Sequence, residues 1–331
     1  MRSEECDNEI VLALAIYGSY NLIERTITKA ELHDYVQGIY TEAFETYRPL
    51  LFSIAYRMLG SASESDDILQ EAYLRYRTAP AVEIHSLKSY LTTIVTRLCL
   101  DYLKSARVQR EQYIGPWLPE PVLTTDADNM PFETAAQHES ISLAFLVLLE
   151  ALTPLERAVF LLHEVFEYDY REIAQMLNKS PANCRQLFHR AKRYLAERRH
   201  RFDTSRETQL RLMGRFLMAC QEGDMQGLMD ILAQDVTTWG DGGGKAVAAR
   251  RPIYGAEAVA RTWLAFARKP PANFGLTFED VNGSPAVLMW TDEKLFDVST
   301  FDIADGQIRG IHNILNPDKL AYITRQLQAR L

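Results

Sequence analysis

Gln186, His189, Arg190 and Arg193 fall on one side of the helix that Ser180-Pro181 begins, and side chains of these types can read a nucleic acid. Gln and Arg make bidentate hydrogen bonds to base edges, and Arg also grips phosphates. At about 100° per residue, Cys184, Phe188, Ala191 and Leu195 form a narrow apolar stripe on the other side, and small Ala182 lets the helix start sit deep in a groove. His189 is read as a phosphate or base contact, because no partner for a metal lies near it in sequence. The rival is a plain helical hairpin with a solvated basic face. Two start signals favour the DNA reading. Thr153-Pro154-Leu155-Glu156 has capping-box spacing with proline at the first helical position, and Asp169-Tyr170-Arg171-Glu172 opens the next helix in the same style. Asn178-Lys179 then makes a tight turn into the basic helix, completing a helix-turn-helix pattern.

A second set of candidates lies nearer the start of the chain. The run from Ser65 to Leu74 begins with acids, which suit the positive end of a helix dipole, and its apolar stripe leaves Asp67, Gln70, Glu71 and Leu74 outside. An exposed leucine among polar groups suggests a protein contact. After Ala79-Pro80, Ser86 is the N-cap of a helix reaching about Arg110, with Thr92, Thr93, Thr96, Arg97, Asp101, Lys104 and Arg107 predicted outward. Threonines and arginines beside Tyr90 would suit a surface that tracks one strand and holds unstacked bases.

These groups need elements to hold them. The first two-thirds of the 331 residues reads as helix, with apolar positions three and four apart in Leu69, Ala72, Tyr73, Tyr76 and in Leu87, Leu91, Ile94, Val95, Leu98. From 111 to 138 the pattern gives way to prolines and acids, a composition that reads as a linker without a core. A helical block follows from Ile141 to about Arg201. Beyond Thr204 a helix over Glu207–Cys220, a second near Ala256–Ala267, and β-like runs at Phe274–Val281, Ala286–Trp290, Leu295–Ile303 and Ile308–Leu315 predict an α+β domain. The domain reading is an N-terminal extension over 1–35, helical domains over 36–110 and 139–203, the linker between them, and an α+β domain over 204–331.

Composition narrows the class. A hydrophobic fraction of 47% and a charged fraction of 24% are those of an ordinary globular protein. No apolar run approaches the ~20 residues of a membrane span, and acids precede Ile10–Ile16 where a signal peptide would carry bases, so a cytoplasmic protein without membrane partners is expected. Cys6, Cys99, Cys184 and Cys220 form no CxxC pair, so neither a disulfide framework nor a metal site is expected. The net charge of −8 argues against a general nucleic-acid binder, but Arg185, Arg190, Lys192, Arg193, Arg198, Arg199 and Arg201 concentrate positive charge in one segment.

Taken together, "YRPLLFSIAYRMLGSASESDDILQEAYLRY" with "SLKSYLTTIVTRLCLDYLKSAR" resembles region 2 of the extracytoplasmic-function (ECF, group 4) sigma factors of the sigma-70 family. "LTPLERAVFLLHEVFEYDYREIAQMLNKSPANCRQLFHRAKRYL" resembles their region 4. "WLPEP", "DGGGK" and "NPDKL" are similar to three marks of a subgroup with a C-terminal SnoaL-like extension, a cone-shaped α+β fold. The resemblance implies two all-α sigma domains followed by that cone, and a transcription initiation factor that is not an enzyme and needs no cofactor. It implies that Asp66, Asp67, Gln70, Glu71 and Leu74 face the β′ clamp helices of core RNA polymerase, with the β flap as a further contact. Thr96, Arg97, Asp101 and Lys104 would lie near the −10 element of promoter DNA, and Asn183, Gln186, His189, Arg190 and Arg193 in the −35 major groove. Trp117, Pro119, Asp241, Gly242, Gly243, Gly244, Lys245, Asn316, Pro317, Asp318 and Lys319 would be regulatory, the glycine loop and Asn316–Leu320 meeting the linker or region 2.

Three alternatives stay open at this point. Folds related to the cone use an Asp or His as general acid or base, so Asp241, Asp297 and His312 are candidates, with Trp239, Trp263, Phe266, Trp290 and Phe301 available to line a pocket. The same domain could sense a small-molecule ligand or meet an accessory protein. A one-component regulator, binding duplex operator without polymerase, would account for the helix-turn-helix but leaves Phe44–Arg110 without a role.

Overall fold

The computed structural model describes residues 29–79, 84–124, 141–198 and 205–330, without the side chains of 29–36, 106–111 and 198. Three helices open it: α1 (Lys29–Leu59), α2 (Ala62–Arg77) and α3 (Leu87–Glu111). Ser61 caps α2 by accepting from the Glu64 amide. Of the expected N-terminal extension, 1–28 lie outside the described residues, while 29–35 belong to α1, which runs unbroken across the expected boundary.

The second helical block holds α4 (Leu143–Glu150), α5 (Pro154–Phe160), a π-helical turn (Leu161–Val165), α6 (Tyr170–Leu177) and α7 (Pro181–Arg198). Both capping boxes form: Thr153 with Glu156 at the start of α5, and Asp169 with Glu172 at the start of α6. Asn178 adopts a left-handed conformation at the end of α6, turning the chain into α7. One continuous apolar cluster, from Tyr40 on α1 to Leu195 on α7, unites the two helical domains.

The C-terminal part holds α8 (Arg206–Glu222), α9 (Met225–Ile231), β1 (Leu232–Asp241), β2 (Ile253–Tyr254), α10 (Ala256–Ala267), β3 (Phe274–Val281), β4 (Ser284–Thr291), β5 (Lys294–Ala304), β6 (Gln307–Ile314) and α11 (Pro317–Gln328). The sheet order is β2-β1-β6-β5-β4-β3, with β1 and β6 parallel and the other neighbours antiparallel. Helices α8, α9 and α10 pack on one face with Phe216, Val259 and Trp263. On the other face α11 brings Leu320 and Ile323 against Val281, Leu288 and Val298. This is the predicted α+β class. The sequence reading did not register α9, β1, β2 and α11.

The stretch read as a coreless linker needs a correction. Leu118 is 1% exposed, Val122 2% and Leu123 7%. Leu118 and Leu123 join the C-terminal core, whereas Val122 joins the helical one. The segment runs antiparallel to the end of β3: the Thr124 amide donates to Asp280 O at 2.9 Å and the Asn282 amide to Val122 O at 2.9 Å. Burying three such side chains is worth roughly 1.5–3 kcal/mol each. Its prolines do not oppose this, because an edge position needs few backbone donors.

Candidate functional site: two helical surfaces, a buried clasp and a cavity

On α2, Asp67, Gln70 and Glu71 are exposed and Leu74 is 46% exposed, as the helical period predicts. Asp66 is half-buried and pairs with Arg48 of α1 at 2.9 Å, which fixes the start of the acidic face. Glu71 pairs with Arg75 one turn on at 2.8 Å. An exposed apolar side chain thus stands among acids on the outer face of α2.

On α3 the expected outward set divides. Asp101 and Lys104 are exposed and pair with each other at 2.7 Å. Thr92 and Thr96 are not outward: both are 0% exposed. The Thr92 hydroxyl lies 2.9 Å from the Tyr168 hydroxyl of the second helical domain, and Thr96 Oγ1 is buried with no hydrogen bond to the described residues. Arg97 reaches the same domain, donating through Nε to Met176 O at 2.8 Å and through Nη2 to Gln175 O at 3.3 Å. Those carbonyls lie in the last turn of α6, where carbonyls run short of helical partners and carry partial negative charge; Gln175 O also accepts from the Asn178 amide at 3.4 Å, and Arg97 caps the turn from α3. From the other side Arg157, 3% exposed, donates to Met58 O at 2.6 Å and to Glu150 Oε1 at 2.7 Å. The two helical domains are therefore joined by apolar packing and by charged donors on backbone carbonyls.

Helix α7 shows the opposite behaviour. Cys184, Phe188, Ala191 and Leu195 are buried, while Asn183, Gln186, His189, Arg190 and Arg193 are all exposed. Arg190 lies 3.4 Å from Glu156 of α5, the only ion pair drawn from this set among the described residues. Asp169 caps α6 on the Arg171 and Glu172 amides, and those donors hold its carboxyl below the usual range. The helix-turn-helix is thus capped from within, and the polar face of α7 is exposed.

The three motif segments converge on a buried carboxylate. Asp241, 0% exposed at the end of β1, accepts from the Leu118 amide at 2.8 Å and from Lys319 Nζ at 2.7 Å. Its other oxygen accepts from the Tyr113 hydroxyl at 2.5 Å. Lys319 also donates to Leu118 O, and its ammonium lies 4.1 Å from the Trp117 ring centroid and 4.9 Å from that of Tyr113. Burial first, then the Asp241 carboxylate, hold the Tyr113 hydroxyl protonated far above the ordinary phenol range. Asn316 caps α11 on the Asp318 amide and donates to Tyr113. Gly242 is buried, Gly244 is exposed, and Lys245 pairs with Asp318 at the surface behind Pro317. Gly243 has φ +56°, and a Cβ there would fall 2.2 Å from Asn316 Nδ2. Gly243→Ala is expected to cost roughly 2 kcal/mol or more, read by urea unfolding.

Trp117 and Glu120 carry this clasp onto the first helical domain. The Trp117 ring covers Gly60, where a Cβ would lie 2.8 Å from it. Glu120 accepts from Ser61 Oγ and the Ser63 amide, both at 2.9 Å, at the start of α2, next to buried Pro119. The Tyr56 hydroxyl donates to Glu120 O at 2.5 Å and accepts from Asn282 Nδ2 at 2.7 Å. Asn282 also donates to Ile141 O and accepts from the Val122 amide. None of Tyr56, Tyr113 and Asn282 was a candidate in the sequence reading. A left-handed Asn serves the turn, and nothing local announces its buried partners.

The candidate acid-base groups do not assemble. Asp241 is committed to the clasp. His312 donates or accepts at Asp302 Oδ2, 2.8 Å away, and stacks on Trp239 with ring centroids 4.6 Å apart. Alternation along β6 puts His312 on the sheet face opposite Asn313. Only Asp297 lines the cavity of about 150 Å³ under the other face, with Trp263 and Phe266 among its walls. Phe301 belongs to the core on that side, whereas Trp239 and Trp290 pack with α11. Asp297 is 4% exposed, and burial pushes its carboxyl up to about 7 despite the Ser299 hydrogen bond. Among the described residues no three His, Cys, Asp or Glu side chains are placed to hold a metal ion, and no helix is long and apolar enough to cross a membrane.

Comparison with known proteins agrees with this geometry. The Sigma-70 region 2 model matches residues 43–108, and the Sigma-70, region 4 model matches residues 142–195. The chain is 34% identical over 286 residues to the ECF RNA polymerase sigma factor SigJ of Mycobacterium tuberculosis, covering 83% of this chain and 91% of that one. It is 33% identical over 288 residues to the probable ECF RNA polymerase sigma factor SigI of the same organism, covering 86% and 96%. The crystal structure of M. tuberculosis SigJ superposes with a TM-score of 0.67 at 31% identity, over 85% of this chain and 98% of that one.

Proposed function

The chain belongs to the ECF RNA polymerase sigma factors, and from that premise we propose that the compact arrangement is a closed form that opens on polymerase. As a sigma factor it is a transcription initiation factor, acting with core RNA polymerase on promoter DNA; the one-component regulator is not favoured. The finer assignments are ours. Residues 36–110 serve as region 2, 139–203 as region 4, and 204–331 as a regulatory domain acting in cis through the segment between them. Asp66, Asp67, Gln70, Glu71 and Leu74 meet the β′ clamp helices, and region 4 meets the β flap. Thr96, Arg97, Asp101 and Lys104 serve the −10 element, and Asn183, Gln186, His189, Arg190 and Arg193 the −35 element.

The observation that carries this reading is the pair of hydrogen bonds from Arg97 to the end of α6. Promoter elements named for positions −35 and −10 lie about 25 base pairs apart, roughly 85 Å along B-DNA. Two surfaces that touch through Arg97, Thr92 and Tyr168 cannot read both elements at once. Opening frees Thr96 and Arg97 and leaves α7, already exposed, unchanged. Polymerase supplies the second attachment that a chain of net charge −8 needs near phosphates.

Run-off transcription from genomic fragments, with core polymerase alone and with the protein added, tests this. Discrete transcripts that need the protein are expected. Arg190→Ala and Gln186→Ala should each reduce them about 10-fold, since a bidentate base contact is worth about 1–3 kcal/mol. Silence from the full chain and from a chain ending at residue 204, with tight binding to duplex DNA alone, would overturn the assignment.

A further inference from the structure

We propose that a basic rim of the C-terminal domain, formed by the loop between β1 and β2 and by the end of α10, binds the phosphate backbone of duplex DNA. From Gly242 to Phe278 the chain carries Lys245, Arg250, Arg251, Arg261, Arg268 and Lys269 against one acid, Glu257, although the whole protein has a net charge of −8. At physiological salt, charges beyond about 8 Å are screened, so a local cluster counts for more at a surface than the sum over the chain.

The fold gathers both halves of this stretch at one end of the sheet. Asp241 at the end of β1 pairs with Ile314, and Ile314 with Val298 near the start of β5. Lys294 at that start pairs with Thr291, and Thr291 with Phe274 at the start of β3. The β1–β2 loop and the turn after α10 therefore share that end, and Val247, Ala248 and Ala249 of the loop face Thr262 and Phe266 of α10 across a small cavity.

Elsewhere in the domain Arg206 pairs with Asp280, Arg309 with Asp235 and Arg330 with Glu279, and on α10 Arg261 pairs with Glu257. Arg250, Arg251, Arg268 and Lys269 are exposed and have no acid within ion-pair distance among the described residues. The acids at the same end are otherwise placed: Asp318 pairs with Lys245, and Asp292 accepts from Asn273 in the β4–β5 turn beside Glu293. Like charges without counter-charges repel, and a phosphate backbone supplies the missing sign. Tyr254, next along the chain and 69% exposed, adds a hydroxyl of the kind that donates to phosphate oxygens.

The loop also borders the segment between the two helical domains. A Cβ on Gly115 would fall 4.0 Å from Arg250 Cα, and one on Gly244 would fall 2.9 Å from Ile114 Cδ1. That segment must follow the duplex between the −10 and −35 elements, which carries the rim beside spacer phosphates. The placement over the spacer rests on the two reading domains being assigned as above; duplex binding by the rim does not.

Fluorescence anisotropy of the full chain on a labelled mixed-sequence duplex, read between about 50 and about 200 mM KCl, tests this. The slope of log affinity against log salt is about −0.9 for each phosphate neutralised. Combining Arg250→Ala, Arg251→Ala, Arg268→Ala and Lys269→Ala should therefore flatten the slope by about 3 to 4 and weaken binding at the lower salt more than about 10-fold. Thermal unfolding should match the wild type, because all four side chains are exposed. The same four changes should flatten the slope equally in an Arg190→Ala, Arg193→Ala background, so an error in the assignment of α7 is read separately. No binding of the full chain at the lower salt, or a slope that the four changes leave unaltered, would overturn the proposal. An unaltered slope together with weaker binding to core polymerase would assign the rim to an acidic protein surface instead.

Discussion

Lys319→Met is expected to destabilise the chain by about 3–5 kcal/mol, the cost of leaving one member of a buried ion pair without its counter-charge. Asp241 is 0% exposed, so its carboxylate would keep only the Tyr113 hydroxyl and the Leu118 amide as donors. Methionine preserves the length of the lysine stem, so packing against Trp117 is largely retained and the loss is chiefly electrostatic. Urea unfolding followed by tryptophan fluorescence reads the change, since Trp117 lies in the clasp. The double variant Asp241→Asn with Lys319→Met should recover more than half of the loss, because no buried charge then remains. A loss no larger in Lys319→Met than in the double variant would mean that the pair contributes only packing. The nearby Lys245–Asp318 pair provides the control. Its side chains are 57% and 62% exposed, so Lys245→Ala should cost under about 1 kcal/mol and nothing at high salt.

Asp297→Asn should stabilise the protein, and the gain should depend on pH. Burial raises the folded-state carboxyl to about 7, against an ordinary value near 4 in the unfolded chain. Between those values the folded form holds a proton that the unfolded form has lost, so wild-type stability falls as pH rises from about 4 to 7. The full penalty is present above about pH 7 and absent below about pH 4. About three pKa units correspond to up to about 4 kcal/mol. The geometry gives the proton a place: the Ser299 hydroxyl has one hydrogen but lies 2.8 Å from both Asp297 Oδ2 and Asn313 Oδ1. A protonated Oδ2 can donate to Ser299, leaving its hydrogen for Asn313; the carboxamide introduced by Asp297→Asn can do the same. The stability difference between variant and wild type, measured by thermal unfolding at about pH 5 and about pH 8, should be larger at the higher pH. A difference independent of pH would show that Asp297 is ionised throughout.

These two expectations rest on residues the sequence treated very differently from the helix-turn-helix. In region 4 the chain specifies itself within a few residues. Thr153 with Glu156 and Asp169 with Glu172 cap their own helices, and the apolar stripe of Cys184, Phe188, Ala191 and Leu195 repeats at the helical period. Such signals are legible because both partners lie within one turn. The exposed face of α7 follows as the remainder. The acidic face of α2 was legible in the same way.

Thr92 and Thr96 mark where that reasoning stops. Period alone makes them polar positions on the outer side of α3, yet Tyr168 and the end of α6, 76 to 79 residues later, cover that side. Composition likewise made 111–138 coreless, although Leu118, Val122 and Leu123 are buried between two cores that the segment does not itself build. Strand β1 was missed because its partner β6 is parallel and distant in sequence, and its register shifts between Leu232 and Thr237, so no even alternation marks it. His312 and Asp297 were read as one candidate set. Their separation depends on strand register, which sends neighbours in sequence to opposite sides of a sheet. The helices of region 4, their two capping boxes, the exposed polar face of α7 and the motifs that identify the family could all be had from the order of residues, because each is the product of contacts within a few positions. Which polar side chains are buried, that Asp241 belongs to a clasp while Asp297 lines a cavity, and that Arg97 is held at the end of α6 were settled only by the folded chain. Those features depend on partners brought together from 76, 128 and 226 residues apart.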